Sequence, residues 1–251
     1  MNTLPTHSIS IITATYNAAF FLPRLIDSLI KQTDQDFQWV VVDGGSTDES
    51  LNILQNAQDK LRNVLIVSRP DFGIYDALNR GVKLSESDYY VVLGADDQLL
   101  PHGVEALKEA RGGGNYDLVT CKYLVADRIS AIRMPRWEFL YSQFAHVTGH
   151  AVGLLIRKDL HRQVGYYSKK FPIAADQLFI LLAIRNGATV HLSDAIVGRF
   201  GVDGVSHMDV VGTLSEIFRV NVYLGHNMYV QLLLLALRLF KHRSKVIRFK
   251  G

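Results

Sequence analysis

Cysteine is almost missing from this chain. Cys121 stands alone among 251 residues, which excludes an intramolecular disulfide and any cysteine-cluster metal site. It lies in the apolar run 118–125, where a buried thiol is expected rather than a nucleophile. Long apolar runs are also missing: the longest, 232–237, ends at Arg238, far short of the ~20 residues that span a bilayer. Residues 1–8 lack the basic start and apolar centre of a secretion signal, so a reducing, cytoplasmic setting is expected. No G-x-G-x-x-G follows the first predicted strand and no G-x-x-x-x-G-K-S/T occurs anywhere, which removes the main support for dinucleotide and P-loop readings. Acid is missing from the end of the chain: no Asp or Glu follows Glu216, whereas Arg219, Arg238, Lys241, Arg243, Lys245, Arg248 and Lys250 do. The net charge of +3 therefore combines a mildly acidic body with a basic tail, and is too small to argue for nucleic acid.

What is present reads as an α/β protein. With 48% hydrophobic and 20% charged residues the composition is globular, with room for one large domain. Short β-forming runs at 8–13, 37–42, 63–67 and 89–93 alternate with helical patterns at 20–30, from 48 onward, and at 73–81, the last stopped by Gly81. That alternation implies βαβ units, a mostly parallel central sheet and helices flanking it. Beyond it, 104–111 reads as a helix, 117–125 as a strand, 126–146 as an irregular segment, the run through 156 as a strand and 178–184 as an apolar helix. Residues 228–239 read as a helix apolar on most of its surface, followed by the basic tail. Such a helix suits packing on the domain or on a partner chain, or lying in a membrane interface with Lys and Arg against anionic lipid.

Chemistry-bearing residues gather where the predicted strands end. Asp96-Asp97 closes the fourth, and two adjacent carboxylates repel unless a cation or hydrogen bonds offset them. Thr15-Tyr16-Asn17 ends the first strand and Asp43-Gly44-Gly45-Ser46-Thr47 the second, with glycines that let backbone approach a ligand and Ser46 or Thr47 placed to cap the next helix. In open α/β sheets ligands bind in the crevice outside such strand ends. Each position also has a structural reading: a turn before Pro101 for Asp96-Asp97, and a loop-stabilising Asx residue for Asp43. Asp176, before an apolar helix, is either an N-cap or a partly buried carboxylate able to take a proton.

Taken in order, Thr15-Tyr16-Asn17, the stretch 41–48, the stretch 73–81 and Gly94-Ala95-Asp96-Asp97 resemble the inverting family 2 glycosyltransferases of the GT-A fold. The resemblance covers roughly residues 8–205, including Gly149-His150, Ala174-Ala175-Asp176 and the stretch 201–206. It implies a GT-A domain over 1–215, with a nucleotide-binding half at about 1–110 and an acceptor half at about 111–215, and a basic helical extension over 216–251. It also implies hexosyl transfer from a nucleotide-diphosphate sugar, a UDP-sugar favoured, assisted by Mn²⁺ or Mg²⁺, in cell-surface polysaccharide biosynthesis. By position, Asp43 would contact the base, while Thr15 and Asp71, with Tyr16, Asn17 and Asp76, would line the nucleotide pocket. Asp96 would hold the ribose side and Asp97 the metal. Asp176 would be the general base, and His150 and His207 would border the acceptor, a glycan or lipid-linked glycan.

The apolar helix near Leu235 leaves a homodimer or the inner face of the cell membrane as its partner. Two rival readings remain. A sugar nucleotidylyltransferase normally carries a glycine-rich basic loop after the first strand, and residues 14–17 are neither glycine-rich nor basic. A non-catalytic nucleotide-sugar binder or scaffold would be indifferent to neutralising Asp176.

Overall fold

The computed structural model describes residues 8–130, 137–201 and 209–244. Within them lie strands β1 (Ser10–Thr15), β2 (Gln38–Asp43), β3 (Val64–Ser68), β4 (Tyr89–Val92), β5 (Gln98–Leu99), β6 (Leu118–Val125), β7 (Arg128–Ile129), β8 (Leu154–Arg157) and β9 (Val190–Phe200). They form one sheet in the order β3-β2-β1-β4-β8-β6-β9-β5, with β7 paired to β6. The first four strands are parallel; β8 runs antiparallel between β4 and β6, and β6 pairs in parallel with β9. The carboxyl ends of β1 to β4, β6 and β9 therefore share one edge.

Both faces of the sheet are covered, as expected for parallel strands reading as unbroken apolar runs. Because side chains alternate along a strand, Ile11, Trp39, Val41 and Val91 enter one layer with α1 (Leu22–Ile30), α2 (Ser50–Gln58) and α4 (Gly103–Arg111). Ile12, Val40, Val42 and Val92 enter the other, with α3 (Ile74–Leu84), α6 (Leu160–Val164) and α7 (Ala175–Arg185). Each fully buried Leu or Ile in these layers contributes roughly 1.5–3 kcal/mol relative to an exposed one. Pro23 falls in the first turn of α1, where its missing N–H costs nothing.

The fold departs from the expectations in three places. Gly81 does not end α3, which continues to Leu84; a methyl group there would meet Ile12 Cγ2 at 2.4 Å, so this glycine serves close packing of helix on strand. The eleven-residue β9 was not expected, because His191, Ser193 and Asp194 interrupt its apolar pattern. Its pairing with β6, shifted in register around Lys122, is set by tertiary partners. Finally, α8 (Val210–Tyr223) runs unbroken through residues 215 and 216, so the expected division there does not fall at a break between elements. The short α5 (Glu138–Tyr141) and α9 (Met228–Lys241) complete the helices of the described residues.

Candidate active site

At the shared edge Thr15 lies beside Asp43, and Asp43 beside Ser68. Asp43 is fully enclosed and turned back on its own loop. Its Oδ2 accepts from the N–H groups of Gly45 (3.0 Å) and Ser46 (2.9 Å) and from the Ser68 hydroxyl (2.6 Å), and its Oδ1 from the Ser46 hydroxyl. Asp43, the residue expected at the nucleotide base, thus has four protein donors and shapes the turn. Asn17, at φ 48°, joins the same turn: its Oδ1 accepts from Thr47 N–H and its own N–H donates to Ser46 Oγ, both at 2.8 Å. Ser46 is thus occupied, and Asp48 rather than Ser46 or Thr47 accepts the Ser50 N–H (3.0 Å) as α2 begins.

Three groups form an open wall beside this turn. Tyr16 is 62% exposed, and Asp71 is half-buried with Oδ1 accepting from Gly73 N–H at 2.8 Å. A methyl group on Gly44 would fall 2.7 Å from Asp71 Oδ2 and 3.4 Å from the Tyr16 ring, so the three meet. Thr15 sits below them, buried, with no protein partner for Oγ1 among the described residues. Asp76 is not part of the wall. It pairs with Arg80 (2.7 Å) and Lys169 (3.1 Å). Burial works to raise its pKa, but Lys169, the Phe72 N–H and Arg80 outweigh it and hold the carboxyl below its ordinary range. The carboxylate expected in the nucleotide pocket thus clamps α3 to the loop before α7.

The adjacent carboxylates divide sharply. Asp97 is 2% exposed; Oδ2 accepts from Gly94 N–H (2.6 Å) and Oδ1 from Gly201 N–H (2.7 Å), tying the end of β4 to the end of β9. Burial pushes its carboxyl up to about 7, with the two N–H groups opposing the rise and Asp96 adding to it. Asp97, the residue expected to bind the metal, is thus enclosed with each oxygen accepting from a backbone N–H. Asp96 is the half-exposed member of the pair, and glycine at 201 leaves its space: a methyl there would fall 2.3 Å from Oδ2. Among the described residues no three His, Cys, Asp or Glu groups converge as a self-sufficient metal cage.

Asp176 occupies the first turn of α7 without capping it; the N-cap is Ala174. The two N–H groups just ahead of that turn are taken by Glu216 of α8, whose Oε2 accepts from Ile173 N–H and Ala174 N–H, both at 2.9 Å. The Tyr75 hydroxyl, at the start of α3, lies 2.7 Å from Asp176 Oδ1 and 2.7 Å from the Ile173 carbonyl oxygen. On the other side, His150 Nδ1 is 4.0 Å from Asp176 Oδ2.

A buried chain behind His150 fixes which nitrogen carries its proton. His161 Nδ1 donates to the Gly165 carbonyl (3.1 Å), and burial pushes His161 down to about 4, leaving Nε2 bare. Tyr90 therefore donates to His161 Nε2 (2.8 Å), Tyr167 to Tyr90 (2.7 Å), and His150 Nε2–H to Tyr167 (2.8 Å). Burial lowers the His150 pKa while Asp176 raises it; in the neutral ring the bare Nδ1 faces Asp176. His150, expected to border the acceptor, is 9% exposed and stands beside the Asp176 carboxylate. His207, the other expected acceptor-side histidine, lies outside the described residues.

Tyr75 and Glu216 were not singled out from sequence. Tyr75 sits inside the Gly73–Gly81 motif, yet its hydroxyl acts across 101 positions, and Glu216 acts across 43 to Ile173. A separate cavity of about 540 Å³, bordered by Lys83, Asp88, Arg157, Lys158 and Tyr166, contains none of the expected site residues.

Residues 10–175 match the family described as Glycosyl transferase family 2. The chain is 34% identical over 201 residues to a PGL/p-HBAD biosynthesis glycosyltransferase of Mycobacterium tuberculosis, covering 76% of this chain and 77% of that protein. A shorter stretch of 102 residues is 35% identical to the chondroitin synthase of Pasteurella multocida, covering 40% of this chain and 11% of that one. Among solved structures, S. aureus TarS in complex with UDP-GlcNAc aligns with a TM-score of 0.69 at 20% identity, covering 94% of this chain and 73% of that chain. The mannosyltransferase PcManGT from Pyrobaculum calidifontis, in complex with GDP-Man and Mn²⁺, gives 0.63 at 17%, covering 96% and 77%. At such identities the solved structures speak for the fold, the curled, mostly parallel sheet flanked by helices, whereas the match over 10–175 speaks for descent. The chain belongs to glycosyltransferase family 2.

Proposed function

We propose that this glycosyltransferase moves a hexosyl group from a nucleoside-diphosphate sugar, UDP-linked by preference, to an acceptor hydroxyl with inversion, in the assembly of a cell-surface glycan. The observation that carries this is the Tyr75–Asp176 hydrogen bond. It joins a half-buried carboxylate at the start of α7 to the start of α3, directly after the Asp71 wall, so base and nucleotide loops border one crevice. Asp176 takes the acceptor's hydroxyl proton as its oxygen bonds to the anomeric carbon and the carbon–diphosphate bond breaks on the opposite face. Tyr16, Gly44 and Asp71 are the surfaces offered to the nucleoside, Asp43 and Asn17 shape the turn beside them, and Asp97 ties the end of β4 to the end of β9.

A divalent ion, Mn²⁺ or Mg²⁺, fits this crevice through Asp96. Such ions commonly use one or two carboxylates and complete their shell with substrate phosphate and water, so a single half-buried carboxylate at the strand end suffices for a shared site. When bound, the ion supplies charge stabilisation to the leaving diphosphate. The test is a thermal-shift panel of UDP and GDP with and without Mn²⁺. A metal-dependent rise with one nucleoside diphosphate, lost in Asp96→Asn, is the expected result. No rise with either nucleotide overturns the donor reading.

For the acceptor we infer a carrier at an anionic lipid surface, from the way α9 is docked. Gln231 is 1% exposed and donates to the Phe139 carbonyl (2.8 Å), and Arg238 donates to the Leu140 carbonyl (2.6 Å), so polar side chains face inward. Tyr229, Leu232, Leu233, Leu237 and Phe240 form an exposed stripe at helical spacing. No helix of the described residues is long and apolar enough to cross a membrane. A second copy would bring the same excess of cations, with no Asp or Glu after Glu216, whereas anionic lipid offsets them. Vesicle flotation with phosphatidylglycerol should capture the protein and Leu233→Glu/Leu237→Glu should release it; unchanged flotation rejects the surface.

A further inference from the structure

Protein surfaces usually turn polar side chains outward, yet the segment from Trp137 to Ala145 does the opposite. Its polar groups point into the protein. Glu138, the acid of α5, accepts from Arg185 at the end of α7 (2.6 Å) and lies 3.0 Å from His146 Nε2 and 3.1 Å from His226 Nε2. Ser142, which opens the 3-10 turn Ser142–Ala145, is buried; its hydroxyl accepts from Gln177 Nε2 of α7 and donates to Asn221 Oδ1 of α8 (3.3 Å). The carbonyls of Phe139 and Leu140 receive Gln231 and Arg238 of α9. The aromatic side chains of the same stretch are left in solvent: Trp137 is 57% exposed, Phe144 47% and Phe139 40%. Aromatics out and polar groups in is the pattern of a surface that meets an apolar medium, and α9, bonded to this segment, shows the same inversion.

We propose that Trp137, Phe139 and Phe144 enter the lipid interface together with α9, so that the membrane contact has two parts and bears on the helix that carries Asp176. This rests on the reading of α9 as a contact for anionic lipid. The charges agree with it. Glu138 is spent on Arg185, and Lys241 and Arg243 are exposed at the end of α9. Tryptophan suits the boundary between headgroup and acyl chain, where its ring meets apolar atoms and its N–H still finds a polar partner. The segment is also strapped to both ends of α7, through Gln177, the neighbour of Asp176, and through Arg185. Lipid that takes up the aromatic face therefore sets the height of the base above the surface, which suits an acceptor hydroxyl carried on a lipid.

The two tryptophans make the test selective, because Trp39 is fully buried in the sheet and Trp137 is not. Emission of the full chain, less that of Trp137→Phe, isolates Trp137. On phosphatidylglycerol vesicles this emission should move to shorter wavelength, lose its access to acrylamide and be quenched by brominated lipid. Trp137→Ser/Phe139→Ser should bind the vesicles about tenfold more weakly at an unchanged melting temperature, because two apolar insertions are lost from an exposed surface. A chain that floats with vesicles while Trp137 keeps the emission and acrylamide access it has in buffer overturns this inference and leaves the α9 reading standing. A chain that does not float removes both. Trp137 shielded already in buffer, and more so as protein concentration rises, assigns the aromatic face to a second copy and overturns the lipid contact.

Discussion

The two sides of the crevice are built differently. On the side of Asp43, Asp71 and Asp97, many partners are close by in sequence: residues 45 and 46 for Asp43, 73 for Asp71 and 94 for one oxygen of Asp97, with Ser68 and Asn17 joining the Asp43 turn from neighbouring strands. On the base side, Asp176 is placed by Tyr75, 101 positions away, and the turn that carries it by Glu216 from α8. The Asp43 turn needs only its neighbouring strand ends, whereas Asp176, the proposed base, is in position only when three distant elements have docked. The proposed recognition surfaces are thus encoded more locally than the proposed reacting group.

The largest expected effect falls on the base side. Asp176→Asn keeps the size of the side chain and removes its ability to take a proton, so turnover should drop by about 10²–10⁴-fold with nucleotide affinity retained. Single-turnover rates alongside nucleotide titrations check the split. Retained turnover would assign the base elsewhere and remove the asymmetry between the two sides. The matching change on the other side is Asp43→Ala. Four donors lose one acceptor, two of them backbone N–H groups that cannot reorient, so the loss should appear as stability of about 3 kcal/mol. Urea unfolding measures it. If nucleotide affinity falls with stability unchanged, Asp43 is a ligand contact after all.

The same contrast explains what the sequence made legible. The parallel half of the sheet was readable because its strands are short unbroken apolar runs, and the strand-end motifs because each run stops at a cluster of small and polar residues. Roles within those motifs were less so. Asp96 and Asp97 are adjacent and chemically identical, and only the approach of Gly201, 104 positions from Asp97, decides that one is enclosed and the other half-exposed. Likewise β9 was invisible because its polar centre is tolerated only beside β6, and α8 because its catalytic-side contribution is the single residue Glu216. Periodicity reports faces and ends; it carries no information on which distant carboxylate caps which turn.

The buried relay behind His150 gives a smaller, pH-dependent test of global assembly. His161 has its pKa lowered by burial to about 4 from an ordinary 6.5, so between those values the unfolded chain binds a proton that the folded one refuses. Stability from this group is therefore full above about pH 6.5 and falls as pH drops toward 4, by about 2 kcal/mol between pH 7 and pH 5. His161→Gln, which still offers an acceptor to the Tyr90 hydroxyl, should flatten that fall. Melting temperatures at the two pH values read the difference. An unchanged slope would mean that His161 already charges within the fold, and that the proton order inferred for Tyr90, Tyr167 and His150 is reversed.

The smallest effect concerns where the catalytic body ends. Glu216 caps α7 from a helix that crosses the expected boundary at 215/216, so Glu216→Ala should cost about 1 kcal/mol of stability, in the range of a lost helix cap. Global unfolding alone would not distinguish a cap from any other buried contact. The informative quantity is kcat, because the freed 173–174 turn carries Asp176 and the Ile173 carbonyl that flanks Tyr75. A drop in kcat of about tenfold with donor KM unchanged, restored in part by Glu216→Gln, which keeps an oxygen in place, would make α8 part of the catalytic body. A stability loss with kcat intact would return α8 to the extension and leave the turn to hold itself, and the two sides of the crevice would then be more alike than their hydrogen bonds suggest.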